Sequence, residues 1–328
     1  MTTTIAWLII FVISLYALSR SADWFTTTSE KIGKLLKFPP FVTGVLIVAL
    51  GTSIPELATS FFGVLQGESA VLSGNVMGST IANILLGLGL VVVLTRKMAK
   101  FERDTPSEDM PFLFGVTILL ALSIYDGLFT RLEAVLFLLT YIIYVFYTLQ
   151  IKKKSSKGAK EDLAEEVKEL QKDQKVSSRK KEPLWKIILC FVASLLLIFI
   201  SAKFVIDSLL NIATSFGIAT SVLSASLVAI GTSLPEISVS ISSARKGNFD
   251  LVIGNIMGSN IFNILVVYGL IGLFTNISVP DLAIYFMLPF MGAVIIFQWL
   301  ISIDKKITVT EGLLMSVLYI MFIIKLFS

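Results

Sequence analysis

Two glutamates, Glu56 and Glu236, stand in the middle of long apolar runs, and each is preceded by the same residue types. Ala49-Leu50-Gly51-Thr52-Ser53-Ile54-Pro55-Glu56 recurs as Ala229-Ile230-Gly231-Thr232-Ser233-Leu234-Pro235-Glu236. Further on, Gly74-Asn75-Val76-Met77-Gly78-Ser79 recurs as Gly254-Asn255-Ile256-Met257-Gly258-Ser259, and Asn83 recurs as Asn263. The offset is 180 throughout, and residues 40–86 align on the second copy without a gap, with 19 of 47 positions identical. Two apolar helices share leucines by chance. They do not share Gly-Thr-Ser-x-Pro-Glu by chance, so the chain carries an internal repeat.

The repeated residues are suited to holding a cation. An ionised carboxylate at membrane depth is costly unless it is paired, and no Lys or Arg lies in either repeated segment at that depth. A bound cation is the natural partner; a protonated glutamate bonded to a neighbouring helix is the structural alternative. Pro55 and Pro235 each remove a helical hydrogen bond and clash with the carbonyl four residues back. Carbonyls around Ala49–Thr52 and Ala229–Thr232 are therefore freed. Such backbone is tolerated in a membrane where it lines a cavity; a simple kink is the alternative. Thr52, Ser53, Thr232, Ser233, Ser79 and Ser259 add hydroxyls, and Asn83 and Asn263 add amide oxygens. Each of these taken singly also fits a bond to a neighbouring helix. Gly74 with Gly78, and Gly254 with Gly258, are spaced for close helix packing.

This donor set is all oxygen, which suits hard cations rather than zinc or copper. Ca²⁺ accepts six to eight oxygens in flexible geometry, whereas Mg²⁺ demands an octahedron and sheds water reluctantly. Two glutamates neutralise one Ca²⁺ or two Na⁺, so these ions can compete for one space. Competition at a single site that opens alternately to the two sides is the minimum for antiport.

The elements that must position these residues follow from composition. The chain has 328 residues, 55% hydrophobic and 15% charged, with a mean hydropathy of +0.86. A soluble domain carries about a quarter charged residues, so a soluble globule is excluded, as is a disordered chain. With no histidine and the lone Cys190, there is no internal disulfide, no thiolate cluster and no imidazole base or ligand. An intramembrane enzyme finds no nucleophile–base motif here. The net charge of +4 sits in loops, so nucleic acid is not an expected partner.

Apolar runs at about 5–29, 41–65, 71–95, 110–126, 132–149, 185–209, 220–243, 250–274, 281–301 and 308–327 predict ten transmembrane helices in an all-α fold. No basic segment precedes the first run, so a cleaved signal peptide is not expected. The expected domains are a first five-helix repeat at 1–150, a charged linker at 151–184 and a second five-helix repeat at 185–328. Alternate loops hold most of the Lys and Arg: Lys31, Lys34 and Lys37; Arg96 to Arg103; the linker; Arg245 and Lys246; Lys305 and Lys306. The opposite loops hold only Arg131. This bias makes the basic loops cytoplasmic and places both termini outside. Two copies five spans apart enter the membrane from opposite sides. The outer end Leu65-Gln66 thus corresponds to the inner end Arg245-Lys246, the inverted repeat of many secondary transporters. Within the linker, Glu161 to Lys172 reads as a charged helix or a solvated tether, with anionic headgroups or a protein partner as further options. Arg20 with Asp23 and Lys203 with Asp207 read as helical ion pairs. Asn276-Ile277-Ser278 is a sequon on an outer loop, a pattern with a high chance rate.

With these motifs the chain resembles the Na⁺/Ca²⁺ exchanger branch of the cation/Ca²⁺ exchanger superfamily. The resemblance covers nearly the whole chain and rests on Gly-Thr-Ser-x-Pro-Glu and Gly-Asn-x-Met-Gly-Ser-x-Ile-x-Asn. The Gly-Asn-x-x-Glu signature typical of the superfamily's proton/Ca²⁺ exchangers is absent from the carboxylate helix. The resemblance implies roles. Glu56 and Glu236 are the shared central ligands, Thr52 and Thr232 give backbone oxygen to Ca²⁺, and Ala49 and Ala229 give carbonyls to Na⁺. Ser53, Ser79, Ser233 and Ser259 complete Na⁺ sites, Asn83 and Asn263 line the centre, and the first and sixth spans slide. Many relatives have Asp where this chain has Asn263, which argues against K⁺ dependence here. The linker is too short for the Ca²⁺-sensing domains of animal exchangers. The expected function is Na⁺/Ca²⁺ antiport, with H⁺-coupled exchange of Ca²⁺ or another divalent cation as the alternative and a channel as a different class. No resident cofactor is expected. The expected partners are Ca²⁺, Na⁺ and the lipid bilayer, with the single chain as the functional unit.

Overall fold

The computed structural model of the chain describes residues 2–35, 49–95, 99–100, 110–155, 183–245, 247 and 249–328. These are helical almost throughout. In order they form α1 (Thr2–Leu35), α2 (Ala49–Thr52), α3 (Ile54–Leu65), α4 (Ala70–Ile81), α5 (Gly89–Thr95), α6 (Met110–Ser123) and α7 (Arg131–Ser155). The second half gives α8 (Leu184–Phe216), α9 (Thr220–Leu223), α10 (Ala229–Thr232), α11 (Leu234–Arg245), α12 (Phe249–Phe262), α13 (Tyr268–Phe274), α14 (Leu288–Ser302) and α15 (Val309–Leu326). Wider π-helical turns at Ala82–Leu88, Ser224–Val228, Asn263–Val267 and Ala283–Met287 join or open several of them.

Each of the ten apolar runs carries helix, but not as ten equal spans. Seven helical stretches among the described residues are long and apolar enough to cross a membrane, and an eighth is added if the bent pair Thr220–Thr232 and Leu234–Arg245 counts as one. Ile54–Leu65 and Met110–Ser123 are apolar but shorter. The reason is local. The helix stops at Ser53 between α2 and α3, and at Ser233 between α10 and α11, each one or two residues before a proline. The charged helix expected at Glu161 to Lys172 lies outside the described residues, as do Lys37, Arg96, Lys97, Arg103 and Lys246.

The runs Ala70–Thr95 and Val252–Phe274 form the centre. Some 83% and 89% of their apolar windows are buried, against about a quarter to a third of the outer helices. The outer faces, with Tyr16, Leu122, Leu132 and Val317 exposed, are the apolar surface a bilayer covers. Two apolar cores result. The larger surrounds the central pair and takes in α6, α7, α14 and α15. The smaller lies where α1 and α8 pack against each other, with Leu18, Ala58, Val205 and Leu209 fully buried. Gly74 and Gly78 do serve close approach. A Cβ on Gly78 would stand 2.5 Å from the Ala225 carbonyl oxygen, and one on Gly74 would stand 2.7 Å from that of Ser221.

Four two-residue strands tie loops together. Ala99–Lys100 (β1) pairs antiparallel with Lys306–Ile307 (β4), and Leu128–Phe129 (β2) pairs with Ile277–Ser278 (β3). Advancing by about 180 positions turns β1 into β3 and β2 into β4, so each pair maps onto the other. Capping follows the same rule. The Thr308 hydroxyl and the Glu311 carboxylate cap α15 reciprocally, and Thr130 with Glu133 does the same for α7, with the carboxylate bonds at 2.6 Å and 2.8 Å in both.

The expected ion pair between Arg20 and Asp23 forms at 3.0 Å on an exposed face. The one expected between Lys203 and Asp207 does not form. Asp207 Oδ1 instead accepts from Gln66 Nε2 at 2.7 Å, because α8 brings it to the end of α3. In the sequon, Asn276 is exposed while Ile277 is buried in β3.

Candidate functional site

The two helix breaks meet at the centre. Pro55 has no N–H and its fixed φ suits the first turn of a helix, so α3 restarts just after Ser53 with Glu56 in its first turn. Glu236 holds the same place in α11. A carboxylate there faces the positive end of its helix dipole.

Both glutamates are fully buried. Ser53 donates to Glu236 Oε1 at 3.1 Å, and Ser233 donates to Glu56 Oε1 at 3.5 Å. The Thr232 side chain also approaches the Glu56 carboxyl, and that of Thr52 approaches Glu236. The hydroxyls of each repeat therefore serve the carboxylate of the other. Neither glutamate has a Lys or Arg partner among the described residues. Two buried carboxylates within electrostatic reach of each other must be neutralised, either by a cation or by protonation.

Several atoms around them lack partners. Among the described residues, Glu56 Oε2, Glu236 Oε2, Ser259 Oγ, Asn83 Oδ1 and Asn263 Oδ1 are buried without a hydrogen-bond partner. Two belong to carboxylates, and amide groups at the same centre are unpaired as well, among them the Asn263 and Asn260 nitrogens and the Asn255 oxygen. No group of three or more His, Cys, Asp or Glu is found among the described residues. The carboxylate, hydroxyl and amide oxygens here suit a hard cation better than a soft one, and two carboxylates match one Ca²⁺ or two Na⁺ in charge.

The predicted residues divide by their contacts. Glu56, Glu236, Thr52, Thr232, Ser53 and Ser233 come together across the repeat. Ser79 joins them, 3.5 Å from the Thr232 hydroxyl. Ser259 and Asn263 are fully buried one turn apart on the central run, without hydrogen-bond partners among the described residues. Asn83 Nδ2 donates to Asn260 Oδ1 at 3.1 Å, at the start of a π-helical turn. Ala49 opens α2. The Ala229 carbonyl accepts from the Ser233 amide at 3.1 Å and from the Thr232 hydroxyl at 3.4 Å.

Sequence reasoning left Asn75 and Asn255 without a role. Asn75 Nδ2 lies within 3.1 Å of the Glu56 carbonyl oxygen and of the Thr59 and Ser60 hydroxyls. Asn255 Nδ2 reaches the Glu236 carbonyl and the Ser240 hydroxyl at 3.2 Å. Their identity in both copies of the second motif was the available signal. Asn260 and the Tyr268–Ser73 hydrogen bond, 2.9 Å long, have no such signal, because the other repeat has Thr80 and Leu88 at the matching positions.

Known proteins resemble this chain along almost its whole length. The family profile described as sodium/calcium exchanger protein matches residues 6–150 and 186–327. The sodium/calcium exchanger MaX1 of Methanosarcina acetivorans is 33% identical, across 97% of this chain and 98% of its own length. The putative antiporter CaxA of Alkalimonas amylolytica is 31% identical, across 98% of each chain. A solved structure of the sodium-calcium exchanger NCX_Mj superposes with a TM-score of 0.63 at 26% identity, covering 98% of this chain and 99% of the other. On the sequence profile, the whole-length relatives and the fold together, the chain belongs to the sodium/calcium exchanger protein family.

Proposed function

We propose that the chain is a secondary active antiporter that exchanges Na⁺ for Ca²⁺ across the cell membrane by alternating access to one shared site at the midplane. The observation that carries this reading is the reciprocal arrangement of Ser53 with Glu236 and Ser233 with Glu56, in a buried space with no basic partner among the described residues. A charged site of this kind resists rearrangement when empty. One Ca²⁺, or Na⁺ ions of equal charge, removes that resistance, so the two ions travel in opposite directions.

In this reading Glu56 and Glu236 bind both ions. Thr52 and Thr232 offer backbone oxygen to Ca²⁺. The carbonyls of Ala49 and Ala229 complete Na⁺ sites with the hydroxyls of Ser53, Ser79, Ser233 and Ser259. Asn83 and Asn263 line the centre. The chain crosses the bilayer ten times as two inverted five-helix repeats, with both termini outside and the linker 151–184 in the cytoplasm. A single chain suffices for transport. If more than two Na⁺ exchange for one Ca²⁺, each cycle moves charge and responds to voltage.

The test is radiolabelled Ca²⁺ uptake into proteoliposomes preloaded with Na⁺. Uptake is expected on dilution into Na⁺-free buffer and not with equal Na⁺ on both sides. Equal uptake without the Na⁺ gradient would sink the proposal. Uptake driven by a pH gradient in Na⁺-free buffer would replace Na⁺ by H⁺ as the coupling ion.

A further inference from the structure

The repeats match in sequence around Asn75 and Asn255, yet the two amides are not used alike. Both nitrogens hold the peptide carbonyl of the adjacent glutamate, at 3.1 Å and 3.2 Å. Their oxygens differ. Asn75 Oδ1 accepts from the Thr232 hydroxyl of the other repeat at 3.3 Å and lies 3.5 Å from the Ser79 hydroxyl. Asn255 Oδ1 is buried with no hydrogen-bond partner among the described residues. Its neighbour one turn on, Ser259 Oγ, is equally unpaired, while the equivalent Ser79 is engaged.

We propose that Asn75 is a positioning residue that sets the spacing of the two glutamates by bridging the repeats. One end of its amide fixes the backbone of Glu56, and the other fixes Thr232, four residues before Glu236. Asn255 holds only its own repeat. The first repeat is thus clamped to the second, and the second keeps open acceptors for an incoming ion. This rests on the exchange reading and extends it. Neither asparagine need touch the ion. A buried amide with both ends engaged sets geometry, and small errors in the placement of ion ligands are costly.

The comparison of Asn75→Ala with Asn255→Ala tests it. Purified full-length chain in detergent is titrated with Ca²⁺ alone and with Na⁺ alone. The rise in Tm gives the half-saturating concentration, since an ion that binds only the folded state raises stability. Asn75→Ala is expected to raise half-saturating Ca²⁺ about tenfold or more, and Asn255→Ala by less than about threefold. Thr232→Val, which keeps the shape of threonine and loses its hydroxyl, reads the same bridge from its other end whether or not Asn75→Ala folds. It is expected to raise half-saturating Ca²⁺ as well, and combining it with Asn75→Ala adds little, whereas its effect and that of Asn255→Ala multiply. A merely structural role for Asn75 lowers the ion-free Tm and leaves the half-saturating concentration unchanged. That result, equal shifts for the two asparagines, or a native value for Thr232→Val would overturn the inference. Absence of Na⁺-driven Ca²⁺ uptake by the wild-type chain would overturn the exchange reading and leave the asparagine comparison standing by itself.

Discussion

At the scale of single residues, the proposed chemistry lies in two carboxylates that each accept hydrogen bonds from hydroxyls of the opposite repeat. Replacing Glu56 or Glu236 by Gln keeps the size and removes one of the two charges that balance Ca²⁺. Uncompensated charge at a buried site costs about 3–5 kcal/mol, so Ca²⁺ uptake by either variant is expected to fall at least about a hundredfold. The near-isosteric change is expected to leave a monodisperse peak on size exclusion. Retained uptake would remove the glutamates from the site. Both residues stood out in the sequence, because a charged residue repeated inside an apolar run has only one bland explanation, a protonated glutamate bonded to a neighbouring helix. Their cross-pairing did not. An offset of 180 identifies equivalent residues without saying that Ser53 reaches Glu236 rather than its own neighbour Glu56. The Lys203–Asp207 expectation failed for the same reason. Helical spacing put them within reach, and a tertiary neighbour, Gln66, took the carboxylate.

At the scale of elements, the breaks at Ser53 and Ser233 were foreshadowed by the prolines, whose chemistry is local. The π-helical turns that follow α4 and α12 were not, because Ala82–Leu88 and Asn263–Val267 have no composition that sets them apart from ordinary helix. The close approach of α4 to residues 221–225 was foreshadowed by Gly74 and Gly78, though not which helix would fill the groove. Here the packing makes a sharp contrast. Gly78→Ala places a methyl 2.5 Å from backbone that cannot rotate away, an overpacking expected to cost about 1–3 kcal/mol. Gly115→Ala in α6 meets no described atom within 4 Å and is expected to change stability by at most about 1 kcal/mol, toward stabilisation, from helix propensity. Thermal unfolding of the two variants in one detergent checks this. A Gly78→Ala chain as stable as Gly115→Ala would mean that α4 does not sit against residues 221–225. The separate core between α1 and α8 belongs to the same scale. That core also takes in Ala58 of α3, Val71 of α4 and Leu223 of α9, so the pair is packed onto the rest of the bundle.

At the scale of the whole molecule, the two small sheets fix which loops lie together. β4 follows directly on α14, and β3 precedes the helical run that leads into α14. The 20 residues of Ala283–Ser302 span about 30 Å at 1.5 Å per residue, the thickness of a bilayer core. The β1–β4 pair, with Lys100, Lys305 and Lys306, therefore lies at the end opposite the β2–β3 pair, beside which Arg131 Nη2 donates to the Phe274 carbonyl. The loop charges predict that the lysine-rich end faces the cytoplasm. With a single cysteine in the chain, this can be read directly. In a Cys190→Ser background, Tyr125→Cys occupies a site 81% exposed beside β2, and Asp304→Cys occupies one 73% exposed beside β4. In intact cells a membrane-impermeant maleimide is expected to label the first and to reach the second only after permeabilisation. The Asp304 substitution forfeits just a 3.9 Å surface pair with Lys306, which is worth little. Labelling of Asp304→Cys from outside would invert the molecule. Labelling of both from one side would place the two sheets at the same end, and then the repeats could not enter the membrane from opposite faces.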